Sequence, residues 1–317
     1  MSQAITRLAP SPTGALHLGN ARTFLVNYLL ARHHGWRVLL RVEDLPGPRI
    51  KPHATPDMLE ELAWLGLEWE EPVIYQSART GAYDEALARL ARGGWAYPCT
   101  CSRKDVEAAA LAPHAEDAGA TYPGTCRGRY ADADDARRQS GQEPAWRVRV
   151  DDAPVRLNDH LAGPVECNLA RLDGDFVIVR REGLAAYQLA VVVDDHASGV
   201  NRIVRGDDLL LSAARQDHLR RLLGMTAPIE YWHLPLVIGA DGRRLAKRHG
   251  DTRLAWFRQH RATRERVLGL LGFWSGLLPQ RRPAELAELV DVFDEAMIPP
   301  GPVTYAPEDH AFLLAGH

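Results

Sequence analysis

The chain has 317 residues, 46% of them hydrophobic and 25% charged, the balance of a globular protein of about two domains. Its 38 Lys and Arg against 41 Asp and Glu give a net charge of −3, which excludes a generally basic nucleic-acid coat but leaves room for a local basic groove. Four Cys are too few for a disulfide scaffold.

In chain order, Ile5 to Ala9 reads as a short strand, broken by Pro10-Ser11-Pro12-Thr13-Gly14. A helix follows, with Ala21, Phe24, Leu25, Tyr28 and Leu29 at helical spacing, and Gly35 stops it. Trp36 to Val42 reads as a second strand, completing a β-α-β unit and implying a parallel sheet. Thr55-Pro56-Asp57 opens another helix, and one more spans about 82 to 92. From Cys99 to about Arg180 the pattern changes to an α+β insertion, with strands at Ala145 to Val150, Val155 to Leu157 and Phe176 to Val179. The α/β pattern resumes with strands at Tyr187 to Val193 and Arg202 to Arg205, then a helix over about 212 to 223. Extended Tyr231 to Ile238 leads into a polar loop, 239–250. The remainder reads as helical, the final helix ending near Met297 before Pro299-Pro300-Gly301-Pro302. The expected division is therefore two halves of one Rossmann-type catalytic domain (1–98 and 181–250), an insertion (99–180) and a helical C-terminal segment (251–317).

The N-terminus lacks a basic stretch followed by an apolar core, and no apolar run reaches the ~18 residues that a membrane span needs. A cytoplasmic protein with no membrane partner is the expectation.

Two short motifs carry chemistry. Leu16-His17-Leu18-Gly19-Asn20 stands at a helix start, where unpaired N–H groups and partial positive charge suit phosphate. Gly19 allows close backbone approach, and the His17 imidazole could donate to phosphate oxygens. Arg244-Leu245-Ala246-Lys247-Arg248 is a cationic loop suited to charge developing on leaving pyrophosphate. Each alone is more often a surface His or a solvated loop; together, at opposite ends of one α/β domain, they are far more specific. A third group is Cys99-Thr100-Cys101, Tyr122 and Cys126. Three thiolates and a phenolate could close a tetrahedral zinc site, and equally three thiols could be plain core. Cys167 stands apart as a structural residue, and His33-His34 offsets a helix dipole.

The segments Arg7 to Gly14, Leu16 to Thr23, Leu40 to Asp44, Tyr187 to His196 and Val204 to Gly206 resemble class I glutamyl-tRNA synthetases, in family order over roughly residues 5 to 275. His17 to Asn20 stands at the HIGH signature, with Asn20 in place of the second His. Arg244 to Arg248 stands at KMSKS, with Arg244 for the first Lys and Ala246 and Arg248 for the two Ser. The resemblance implies catalytic roles for His17 and Lys247 and an ATP site at His17, Gly19, Asn20, Arg244 and Lys247. It also implies a glutamate pocket at Arg7, Ser11, Glu43, Tyr187 and Arg205. Arginine forks suit the two carboxylates of glutamate, and Glu43 suits its ammonium. ATP would arrive with Mg²⁺.

Residues 251–317 are short for a large helical anticodon-binding region, and Glu43 to Arg49 resembles the Pro-containing version of that segment in a short paralogue family, the glutamyl-Q tRNA(Asp) synthetases. The two Cys, Tyr and Cys also occur in that family, which implies one structural zinc. That family activates glutamate with ATP without tRNA, then transfers it to queuosine in the anticodon of tRNA(Asp). An anticodon loop would meet basic residues such as Arg127, Arg129, Arg243 and Arg248, and the expected state is a monomer. The alternatives are a truncated glutamyl-tRNA synthetase charging a tRNA 3′ end, a nucleotidyltransferase of the HIGH superfamily, and an inactive synthetase-like binding module.

Overall fold

The computed structural model describes residues 3–12, 16–47, 50–51, 54–109, 121–243, 245 and 251–315. Strand β1 (Ile5–Leu8) leads to helix α1 (Leu18–His34) and strand β2 (Arg37–Val42), then α2 (Ala54–Trp64) and β3 (Glu70–Tyr75). The order β1-β2-β3 is parallel, with Ile5 opposite Arg37 and Val42 opposite Tyr75. Apolar residues lie all round α1, as expected of a helix buried on every side. Leu18, Leu25, Val26, Leu29 and Leu30 are fully buried in the main core. Gly35 ends it in the left-handed conformation, φ 68°, which a side chain disfavours.

Helix α3 (Thr80–Arg92) leads to β4 (Ala96–Cys99), α4 (Arg103–Ala109), α5 (Ala133–Ser140), β5 (Ala145–Val148), the hairpin β6 (Val155–Asp159) and β7 (Gly163–Cys167), α6 (Leu169–Leu172) and β8 (Phe176–Val179). The strands β4, β5 and β8 form their own antiparallel sheet. The β6–β7 hairpin does not stay with them. Its strand β6 runs parallel to β10 and joins the sheet of the second half.

That half contains α7 (Tyr187–Ala197), β9 (Arg202–Gly206), α8 (Leu210–Leu222), β10 (Glu230–Leu234) and β11 (Val237–Ile238). Tyr187 to Val193 is thus a helix, correcting the expected strand. The run is continuously apolar because α7 is wrapped by neighbours, with Leu189 to Val193 all buried. A buried helix and a buried strand are indistinguishable by periodicity over so few residues. The two parallel sheets meet where β1 lies beside β9. Asn201 joins them: its Oδ1 accepts from Ile5 N at 2.9 Å, and its own N donates to Ile5 O at 3.0 Å.

After the polar loop come α9 (Leu254–Gln259), α10 (Arg264–Trp274) and α11 (Leu286–Asp291), then a 3₁₀ turn, Glu295–Met297. The chain is not finished as a helix there. The Pro-rich stretch leads to β12 (Val303–Thr304), which pairs parallel with β11, and to α12 (Pro307–Leu314). No helix among the described residues is long and apolar enough to cross a membrane.

Candidate active site

The carboxyl ends of β1, β2 and β9 open on a cavity of about 770 Å³. This is the switch point of the α/β layer, where such sheets hold ligands. Arg7 reaches the cavity from β1, Glu43 from the residue after β2, and Arg205 from β9. Ser11 and Tyr187 complete the wall, so all five residues expected around glutamate line one space. Gly206 closes β9 where a Cβ would fall 2.9 Å from Leu236 Cδ2 and 2.6 Å from Asp208 Oδ1. A side chain there would have to push aside the ends of Asp208 and Leu236.

An ion network underlies this wall. Arg7 Nε donates to Asp195 Oδ1 at 3.1 Å, and Arg41 also donates to Asp195 Oδ1. Arg41 Nη2 donates to Glu43 Oε1 at 3.2 Å, and Ser11 Oγ donates to Glu43 Oε2 at 3.0 Å. Burial works against the charge of Asp195, but the Arg41 and Arg7 guanidiniums outweigh it and hold the carboxyl below its usual range. Burial pushes the Tyr187 phenol up, and Glu43 adds to this, so the hydroxyl stays neutral. Arg7, Arg22, Arg41 and Arg205 stand in or behind this wall against Glu43, Asp195 and Asp208, an excess of one positive charge. Arg41 and Asp195 had not been singled out in the sequence. They read there as residues inside buried runs, although Asp195 sits in the Tyr187 to His196 segment.

Arg205 is buried. Its Nη1 donates to Gln216 Oε1 at 2.8 Å, and its Nε donates to His233 Nε2 at 3.0 Å. Its Nη2 is buried with no hydrogen-bond partner among the described residues. A buried donor left this way costs free energy until a ligand or water takes it.

The other end of the cavity is lined by His17, Gly19 and Asn20 at the start of α1. His17 is the N-cap, and its Nδ1 lies 3.0 Å from Thr252 Oγ1. The backbone around it is tied to the segment that follows the cationic loop. Leu18 N donates to Thr252 O at 2.9 Å, and Leu254 N to Leu16 O at 2.8 Å. Glu61 on α2 clamps both strands of this join, accepting from Leu16 N at 2.9 Å and Ala255 N at 3.0 Å. Leu245 also lines the cavity, and its N donates to Val237 O at 3.0 Å. Arg244, Lys247 and Arg248 lie outside the described residues.

Of the basic residues expected to meet RNA, Arg127 is exposed and also paired within the insertion. It donates to Asp175 from both Nε (2.9 Å) and Nη2, and to Val150 O at 3.1 Å. That ion pair ties the turn to the rest of the insertion and leaves the side chain 43% exposed. Arg129, against the Tyr130 ring, and Arg243 are exposed.

Cys99, Cys101 and Cys126 place their sulfurs within 4.8 Å of one another. The Tyr122 hydroxyl lies 3.4 Å from Cys99 Sγ and 3.8 Å from Cys101 Sγ, and Cys101 and Cys126 are 3.5 Å apart. Sulfurs on a tetrahedral Zn²⁺ at ~2.3 Å stand roughly 3.8 Å apart, so the donor set fits such an ion. Burial pushes the Cys101 thiol up to about 12, with Cys126 and Cys99 adding to it. Burial also opposes ionisation of Cys126, but hydrogen bonds from Thr100 N, Tyr122 and Cys101 hold it at about 7. Crowded donors of this kind ionise together only when a cation compensates them. Arg147 lies over the Tyr122 ring at 3.8 Å and donates to Cys99 Sγ at 3.3 Å, so positive charge already faces the cluster. Cys167 lies away from it at the end of β7.

Residues 3–276 match the family model of tRNA synthetases class I (E and Q), catalytic domain. The chain belongs to this family. It is similar to the glutamyl-Q tRNA(Asp) synthetase of Rhodopirellula baltica, 46% identical over 309 residues that cover 94% of this chain and 93% of the relative. The protein of that name from Symbiobacterium thermophilum is 45% identical over 319 residues, covering 98% of each. Among solved structures, the glutamate-tRNA synthetase of Elizabethkingia anophelis superposes with a TM-score of 0.81 at 24% identity, covering 98% of this chain and 70% of that one. The fold is therefore the class I catalytic domain with its parallel sheet and flanking helices, and the chain is an aminoacyl-tRNA-synthetase-like ligase.

Proposed function

We propose that this ligase activates L-glutamate with ATP, without tRNA, to glutamyl-adenylate and transfers the glutamyl group to queuosine in the anticodon of tRNA(Asp). The observation that carries this reading is the pair of relatives of that name, matched almost end to end. The cavity supports it. Glutamate brings two carboxylates and one ammonium, a net charge of −1, which balances the surplus cation of the pocket. The Arg205 guanidinium, on the cavity wall, can meet one carboxylate, and Glu43, beside Ser11, can take the ammonium. The α-carboxylate oxygen then attacks the α-phosphate of ATP, and the bond to the leaving pyrophosphate breaks. His17, Gly19 and Asn20 at the α1 start would hold the phosphates.

The acceptor is a hydroxyl of the queuosine ring, which attacks the adenylate carbonyl to form an ester and release AMP. Labelled glutamate offered to tRNA(Asp) with queuosine, to the same tRNA with unmodified guanine, and to glutamate tRNA should mark only the first. Efficient charging of glutamate tRNA would restore the truncated-synthetase reading. Transfer should also fall steeply with salt, because exposed arginines such as Arg129 and Arg243 would meet phosphate.

Cys99, Cys101, Tyr122 and Cys126 would hold one structural zinc. It would tie the end of β4 to the 122–126 turn and leave no position for a catalytic water. Protein prepared without chelators should contain about one zinc per chain by elemental analysis, and Cys126→Ser should lower that content sharply. Absence of zinc from the parent protein would leave the thiols as packing.

A further inference from the structure

Arg205 is held from behind by a chain of buried groups that reaches into the inserted segment. His233 on β10 and Asp159 at the end of β6 are both almost fully buried. Asp159 Oδ2 lies 2.6 Å from His233 Nδ1. Its Oδ1 accepts from Leu161 N at 2.9 Å and Ala162 N at 2.8 Å. The backbone N of His233 also faces this carboxylate, at 3.1 Å from Oδ2.

The two ring hydrogen bonds of His233, to Asp159 and Arg205, set one arrangement. An ionised carboxylate only accepts, so His233 Nδ1 carries the proton. An arginine Nε only donates, so His233 Nε2 must be bare to receive it. The imidazole is therefore neutral, with its tautomer imposed from both ends. On the far side, Gln216 takes Arg205 Nη1 and donates its own Nε2 to Gln188 Oε1 at 3.0 Å. Two guanidinium nitrogens are thereby fixed, and the plane of the group with them. Nη2 is buried without a hydrogen-bond partner among the described residues, and the residue as a whole lines the cavity.

We propose that Asp159 and His233 are positioning residues of the amino-acid pocket. Asp159 selects the His233 tautomer, and His233 fixes the plane of the Arg205 guanidinium that meets a substrate carboxylate. Amino-acid recognition then depends on a strand of the inserted segment, because β6 brings Asp159 into the sheet beside β10. The inference rests on the reading that Arg205 contacts glutamate.

Asp159→Asn tests it with little change of shape. The amide oxygen keeps the bonds from Leu161 N and Ala162 N, which places the amide NH₂ against His233 Nδ1. The imidazole must then carry its proton on Nε2, opposing the Arg205 Nε–H, a tautomer error of the kind that disables a catalytic histidine when its carboxylate becomes an amide. In glutamate-dependent pyrophosphate exchange, Asp159→Asn should raise the KM for glutamate by roughly tenfold or more, with the KM for ATP within about twofold of the parent. The double variant Asp159→Asn with His233→Gln should recover most of that loss, because a glutamine oxygen at 233 accepts from Arg205 whatever stands at 159. Thermal unfolding of each variant confirms that the protein assayed is folded. If Asp159→Asn leaves the glutamate KM unchanged while Arg205→Ala raises it, Arg205 needs no such support and the inference fails alone. If the double variant recovers nothing, Asp159 acts on the fold and the inference fails as well. If Arg205→Ala itself leaves the glutamate KM unchanged, the underlying reading of Arg205 falls and takes the inference with it.

Discussion

Arg205→Ala should raise the KM for glutamate by roughly 10²-fold or more, because stripping one partner from a buried charge pair costs several kcal/mol. The KM for ATP should change little, since the nucleotide end of the cavity is built from the α1 start and the Leu245 segment. The asymmetry follows from the charge count. With Arg205 present, Arg7, Arg22, Arg41 and Arg205 outnumber Glu43, Asp195 and Asp208 by one, which suits a ligand of net charge −1. Without it, Arg7 and Arg41 are already committed to Asp195 and Glu43. The second carboxylate of glutamate would then enter the pocket without the guanidinium fixed on β9 to meet it. Neutralising that carboxylate should also shrink the penalty, so glutamine should discriminate less between parent and variant than glutamate does. Steady-state pyrophosphate exchange, varying one substrate at a time, measures both effects. Equal losses for glutamate and ATP would make Arg205 a structural residue.

Which of these residues could be read beforehand follows from how a parallel sheet displays its residues. Arg7, Glu43 and Arg205 stand at the carboxyl ends of strands or just beyond, and β-α-β order alone brings such positions to one rim. Their partners are harder to see. Arg41 and Asp195 are buried charges inside apolar stretches, and no periodicity marks a charge that is satisfied by another element. His233 sits in an extended run and gains meaning only when β10 lies between β9 and β6. That neighbourhood depends on a hairpin from the insertion crossing into the catalytic sheet, a long-range pairing with no local signal. Helix α7 illustrates the converse. Tyr187 was expected to begin a strand, yet as the first residue of a helix it still faces the cavity. The side chain reached the pocket by a different backbone from the one expected.

His17→Ala and Lys247→Ala should each lower the rate of pyrophosphate exchange by roughly 10²-fold or more, if each supplies a preorganised donor to charge that develops only in the transition state. The ground state needs them less. Glutamate is held at the other end of the cavity, and the helix N-terminus at Gly19 and Asn20 remains to meet phosphate. The loss should therefore appear in kcat more than in either KM. The geometry explains why two residues so far apart in sequence act on one bond. His17 is bonded through Nδ1 to Thr252, just past the cationic loop, while Leu245, just before Lys247, lines the same cavity. Both ends of the loop are thus anchored at the site, one at Val237 and the other at the start of α1. Thr252→Val should remove one hydrogen bond of the His17 ring and leave the ring in place, and should give a smaller fall in kcat than His17→Ala. Near-normal exchange in both His17→Ala and Lys247→Ala would refute the assignment of transition-state charge to these two groups, since nothing else in the reading gives either residue a role in the chemical step.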